Sequence, residues 1–156
     1  MDTLDEEILG FWRLLHENEV EYILVGGFAA NLHGFQRTTG DLDLWIKDSQ
    51  PNRRKFREVL RKANIGDFEG IETTQLVPGW STLKFVSGFE LDIMTSMAGF
   101  PAESFDKCHA LSPTAIIENI PVKFLHINQL IEAKKAAGRP KDILDVIELE
   151  RIRDSK

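Results

Sequence analysis

The strongest constraint on this chain is a short apolar run, Tyr22-Ile23-Leu24-Val25, that halts at Gly26-Gly27 and is followed, after residues 28–40, by Asp41-Leu42-Asp43-Leu44-Trp45-Ile46. β-favouring bulk bounded by glycine predicts a buried strand that ends in a sharp turn. Phe28 to Gly34 has room for two helical turns, with Gly34 at the exit. Residues two apart on a strand share a face, so Asp41 and Asp43 point together while Leu42 and Leu44 face the core.

Two carboxylates side by side repel, and Arg37 and Lys47 are the nearest cations in the sequence. A divalent cation removes that cost, and Mg²⁺ is the usual hard ion for oxygen ligands. Asp92, in Glu90-Leu91-Asp92-Ile93-Met94, lies on a further predicted strand and supplies a third carboxylate. Three such groups on neighbouring strands can hold two metal ions, one activating a hydroxyl and one stabilising departing phosphate oxygens. Gly26 and Gly27 leave the backbone open to a triphosphate at the start of a helix. Gly-Gly or Asp-x-Asp alone is a weak signal; together with Asp92 they are a sharp one.

Around this centre, Thr3 and Glu6 stand at capping-box spacing ahead of an amphipathic helix from about Asp5 to Glu17. Ser49 and Pro51 open a helix with Phe56, Val59, Leu60 and Ala63 inside and Arg53, Arg54, Lys55, Arg57, Arg61 and Lys62 outside. Ile65 to Gly79 is irregular. Thr82 to Val86 and Phe89 to Thr95 form a hairpin through Ser87-Gly88, and Ile120 to Leu125 is one more strand. Helices over Ile127 to Ala137 and Pro140 to Arg153 close the chain. Interleaved helices and strands that include a hairpin predict an α/β (α+β) architecture, a mixed β-sheet flanked by helices. The reading is one domain over residues 1–156, with a core at about 20–125 and closing helices at about 126–153.

Composition narrows the function. The chain has 42% apolar and 28% charged residues, as an ordinary globular protein does. No apolar run approaches the roughly 18 residues that span a bilayer. The acidic N-terminus and the single cysteine, Cys108, fit a cytoplasmic protein in a reducing compartment. A net charge of −6 argues against general DNA binding, which depends on positive charge.

The stretch VGGFAANLHGFQRTTGDLDLWI resembles the signature of the DNA polymerase beta-like nucleotidyltransferase superfamily: Gly-Gly or Gly-Ser, a spacer of about ten residues, then Asp-hydrophobic-Asp/Glu. ELDIMTSMAGFPAESFD resembles the segment with the third acidic residue in small bacterial members, and HINQLIEAKKAAGRPKDILDVIELE resembles their closing helices. The resemblance implies a nucleotidyltransferase fold and transfer of a nucleoside monophosphate from an NTP to an acceptor hydroxyl. Asp41, Asp43 and Asp92 would be catalytic and bind Mg²⁺, two ions with NTP bound. Gly26, Gly27, Arg37, Thr39, Lys134, Arg139 and Lys141 would contact the nucleotide. The acceptor is open between tRNA, protein and small molecule; because little chain follows the last strand, it would be held by a protein partner or a homodimer, or be a macromolecule that brings its own surface. The alternative is a low-turnover nucleotide-binding regulatory module, such as the nucleotidyltransferase-fold member of a toxin–antitoxin pair.

Plainer readings apply to other residues. Arg37 can pair with Asp41 or Asp43. Asp142 and Asp145 stabilise a helix dipole. His33 lines the pocket, while His109 and His126 are surface or capping residues. Cys108 lacks an activating base, and Trp80 is a packed loop residue before it is a base-stacking one.

Overall fold

The computed structural model describes residues 3–72 and 80–156, with side chains from Glu6 to Glu72 and from Ser81 onward. The Thr3 capping box, the Trp80 side chain and residues 73–79 lie outside the described part. The chain runs α1 (Thr3–Glu17), β1 (Tyr22–Val25), α2 (Gly26–Leu32), β2 (Asp41–Ile46), α3 (Gln50–Lys62), β3 (Trp80–Lys84) and β4 (Glu90–Met94). It continues with α4 (Phe105–Leu111), β5 (Thr114–Ile117), β6 (Ile120–Lys123), α5 (Ile127–Ala137) and α6 (Pro140–Asp154). Four strands form a mixed sheet in the order β1-β2-β4-β3, and β5 pairs with β6. No described helix is long and apolar enough to cross a membrane.

Register places the site. β1 and β3 run antiparallel to their neighbours, while β2 and β4 are parallel at the centre, with Asp43 opposite Asp92 and Leu42 opposite Leu91. The alternation fixes two faces. Leu42, Leu44, Leu91 and Ile93 enter the core with Phe11 and Leu15 of α1 and Phe56, Val59 and Leu60 of α3. Each fully buried side chain of this kind contributes about 1.5–3 kcal/mol relative to exposure. The other face carries the acids and then Trp45, whose indole donates to Thr95 O at 3.0 Å and meets Phe105 edge-on at 5.4 Å.

Two elements depart from the sequence reading. β5 and α4 lie where no element was assigned; β5 closes a hairpin with β6 through Glu118 and Asn119, both at positive φ (49° and 66°). Leu125 N then donates to Leu24 O at 2.9 Å, tying that hairpin to the sheet. Arg53, assigned to the outer face of α3, is buried and donates to Asp48 at 2.8 Å. The other arginines of that basic face are matched by acids: Arg57 pairs with Asp67 and Glu72, Arg54 with Glu72 and Arg61 with Glu58. The break between α5 and α6 falls at Gly138, whose φ of 66° suits glycine.

Candidate active site

β2 projects Asp41 and Asp43 from one face, and the parallel pairing with β4 brings Asp92 beside Asp43. One carboxylate oxygen from each of the three lies within 4.8 Å of the others. Burial, then the charges of Asp41 and Asp92, pushes the Asp43 carboxyl far above its ordinary range. Asp41 is raised by burial and by Asp92. The cations nearest in sequence are engaged elsewhere: Lys47 pairs with Asp106 at 3.0 Å and Arg37 with Asp145 at 2.7 Å. Among the described residues, no lysine or arginine forms an ion pair with the three acids. Three crowded, unneutralised hard oxygen donors fit a divalent cation such as Mg²⁺.

Two glycines make that crowding possible. Gly26 has φ of 67°, and a Cβ there would overlap the Asp43 carboxylate. At Gly27 a Cβ would sit 2.7 Å from Thr39 Oγ1, which itself donates to Asp41 O at 2.9 Å. The pair is therefore required first by the acidic strand and the loop before it.

Across the cleft stand the closing helices. Lys134 of α5 donates to Asp145 of α6 at 2.9 Å, on the same oxygen that Arg37 approaches from the loop. Burial works against the Asp145 charge, but the bonds from Lys134 and Arg37 hold its carboxyl below the ordinary range. Arg139 donates through Nε to Asp142 at 2.6 Å, and Asp142 also accepts from the Arg139 backbone N–H, capping α6. The cleft between these groups has a volume of about 750 Å³, and all ten residues singled out in the sequence line it.

Some plainer readings change, while those of His126 and Cys108 hold. Arg37 pairs with Asp145, not with Asp41 or Asp43, because the loop turns it toward α6. Asp145 is the junction of two cations and not only a dipole group. His33 is buried away from the cleft, bonded through Nε2 to Leu125 O at 2.7 Å and packed on Phe124. His126 caps α5, accepting from Asn128 N at 3.1 Å, and Cys108 is buried with its thiol pushed up by burial.

Residues 2–154 match the family described as nucleotidyltransferase of unknown function (DUF6036). The chain belongs to that family. No curated protein sequence matches it. Its fold is shared with the lincomycin-bound lincosamide antibiotic adenylyltransferase LnuA (TM-score 0.61, 17% identity, 94% of this chain and 96% of that one). It is shared also with the putative nucleotidyltransferase TM1012 from Thermotoga maritima (TM-score 0.59, 13% identity, 100% of this chain and 97% of that one). A third likeness is to an antigenic nucleotidyltransferase-like protein from Paracoccidioides brasiliensis (TM-score 0.53, 22% identity, 92% of this chain and 72% of that one).

Two features of this nucleotidyltransferase escaped the sequence reading. Leu130, Ala133 and Ala137 give the cleft an apolar wall together with Met94, Met97 and Ala98. The spacing of the first three along α5 was the available signal. Thr82 of β3 donates to Asp92 Oδ1 at 2.7 Å; nothing local in the sequence marks it.

Proposed function

We propose that this nucleotidyltransferase moves a nucleoside monophosphate from an NTP to an acceptor hydroxyl and releases pyrophosphate. The observation that carries the reading is the convergence of Asp41, Asp43 and Asp92 at a glycine corner, across a cleft from Lys134, Arg139 and Lys141. The acceptor oxygen forms a bond to the α-phosphorus while the bond to the β-phosphate oxygen breaks. Arg37, Lys134, Arg139 and Lys141 attract and align the polyanionic triphosphate, Thr39 and the Gly26-Gly27 backbone border it, and Asp92 orients or accepts the proton that the hydroxyl gives up. Asp41, Asp43 and Asp92 would hold two Mg²⁺ ions, which supply charge neutralisation at the phosphates and a more acidic acceptor hydroxyl.

The acceptor class stays open between small molecule, tRNA and protein; the acidic net charge weighs against a grip on nucleic acid by charge alone. The setting is a reducing cytoplasm, consistent with a lone buried cysteine. A thermal-shift screen of ATP, CTP, GTP and UTP with and without Mg²⁺ tests the ligand class, because a bound ligand raises apparent stability by mass action. Labelling of cell extract with α-phosphate-labelled NTP then tests transfer. No shift and no labelling with any NTP sinks the reading.

One observation favours a second reading, a low-turnover nucleotide-binding module with a protein partner. Ile143, Leu144 and Ile147 are exposed on α6 close to Lys141 at the cleft. In that reading the chain is the nucleotidyltransferase-fold half of a toxin–antitoxin pair, or it dimerises through this face. Light scattering on the purified protein, with and without co-expressed neighbours, separates it from the first.

A further inference from the structure

We propose that Thr82 is a positioning residue for Asp92, pinning one oxygen of its carboxylate so that the other remains available to a divalent cation; this rests on the transferase reading above. Asp92 occupies a central strand, with Asp43 opposite it on β2 and Thr82 opposite it on β3. On the β2 side it lies within 4.8 Å of the Asp41 and Asp43 carboxylates, and ionised neighbours there would push it away. On the β3 side the Thr82 hydroxyl donates to Oδ1 at 2.7 Å. That bond opposes the push and fixes the plane of the carboxylate.

Threonine suits the task. Its branched Cβ restricts χ1 on a strand, so the hydroxyl is held in one direction. Thr82 is exposed, so its side chain has no part in the core. It also stands outside the cleft lining, so it acts through Asp92 and not on substrate. Partners that orient metal ligands typically change affinity by about 10–100-fold when removed.

The test is a Mn²⁺ titration of the nucleotide-free full chain, followed by electron paramagnetic resonance. Thr82→Val deletes the hydroxyl at nearly constant shape and is expected to weaken Mn²⁺ binding by about tenfold or more, toward the value of Asp92→Asn. Thr82→Ser restores the donor without the branch that holds it and is expected to recover most of the affinity lost in Thr82→Val. Melting in EDTA should be the same for all three, which a structural role in β3 would not give. Should Thr82→Val fold poorly, Thr82→Ala must show the same loss. Wild-type affinity in the valine and alanine variants, or an equal loss in the serine variant, overturns the proposal while leaving the transferase reading intact. Mn²⁺ binding that is absent from the wild type, or that survives Asp43→Asn, overturns both.

Discussion

Arg37 Nη1 lies 2.7 Å from Asp145 Oδ2, although 108 positions separate them in the chain. The same oxygen accepts from Lys134 at 2.9 Å, so one carboxylate joins the loop before β2 to both closing helices. Asp145 and Lys134 have side chains only 11% and 15% exposed, and loss of the carboxylate leaves Arg37 without its ion pair and Lys134 with only Asp142, 3.7 Å away. Asp145→Ala is therefore expected to lose about 2 kcal/mol in urea denaturation. Arg37→Ala should cost less, because Arg37 is about a third exposed and Lys134 still holds Asp145.

Asp43 is the acid most crowded by its neighbours. Asp43→Asn removes a group whose charge the fold disfavours, so the metal-free protein is expected to melt at the same temperature as the wild type or higher at pH 8. Nucleotidyl transfer should fall by about a thousandfold, the scale of several kcal/mol of lost charge stabilisation. Paired melts in EDTA and labelling assays check both halves.

Stability of the metal-free protein should fall as pH rises from the ordinary carboxylate range, near about 4. Asp41 and Asp43 are raised to about 6 and about 8, so the folded chain holds protons there that the unfolded chain has released. Their contribution is complete below the unfolded pKa and is lost as pH climbs through the folded values. His33 and His109, both lowered by burial, act in the opposite direction as pH falls. Subtracting the Asp43→Asn profile isolates the acids. Cation binding displaces the same protons, so stabilisation by Mg²⁺ should grow between pH 6 and pH 8.

Gly26→Ala places a side chain at φ of 67° and against the Asp43 carboxylate. We expect a loss of about 1–3 kcal/mol in denaturation. Mn²⁺ binding should weaken with it, because Asp43 has to move. Gly10→Ala, a helical site with open space around it, serves as the control and should be neutral or slightly stabilising.

What could be read from the sequence was local. The Tyr22–Val25 strand, the acidic strand from Asp41 and the bounds of Ile127–Ala137 follow from periodicity and glycine punctuation, and the structure has all three. Partners distant in the chain were not readable. Arg37 could be given a carboxylate but not the right one, since the choice depends on how α6 packs. Arg53 belongs to a basic run by composition, yet the turn at Asp48 draws it inside. Thr82 is one polar residue in an ordinary strand until the β3–β4 register sets it opposite Asp92. Thr114–Ile117 lacks a distinguishing pattern and becomes a strand by pairing with Ile120–Lys123.

The parallel pairing of β2 with β4 also governs when the site can exist. Antiparallel neighbours can join through a short turn, as β3 and β4 do, but Asp43 and Asp92 meet only after the chain has left the sheet through α3 and come back. Closing so large a loop is slow and entropically costly. A chain leaving the ribosome thus has no cluster of three acids until β4 has emerged and docked, and Arg37 and Lys134 are not gathered on Asp145 until α6 follows. The assembled cluster belongs to the finished fold alone, and a fragment that stops before Glu90 has neither the third acid nor the strand that carries it.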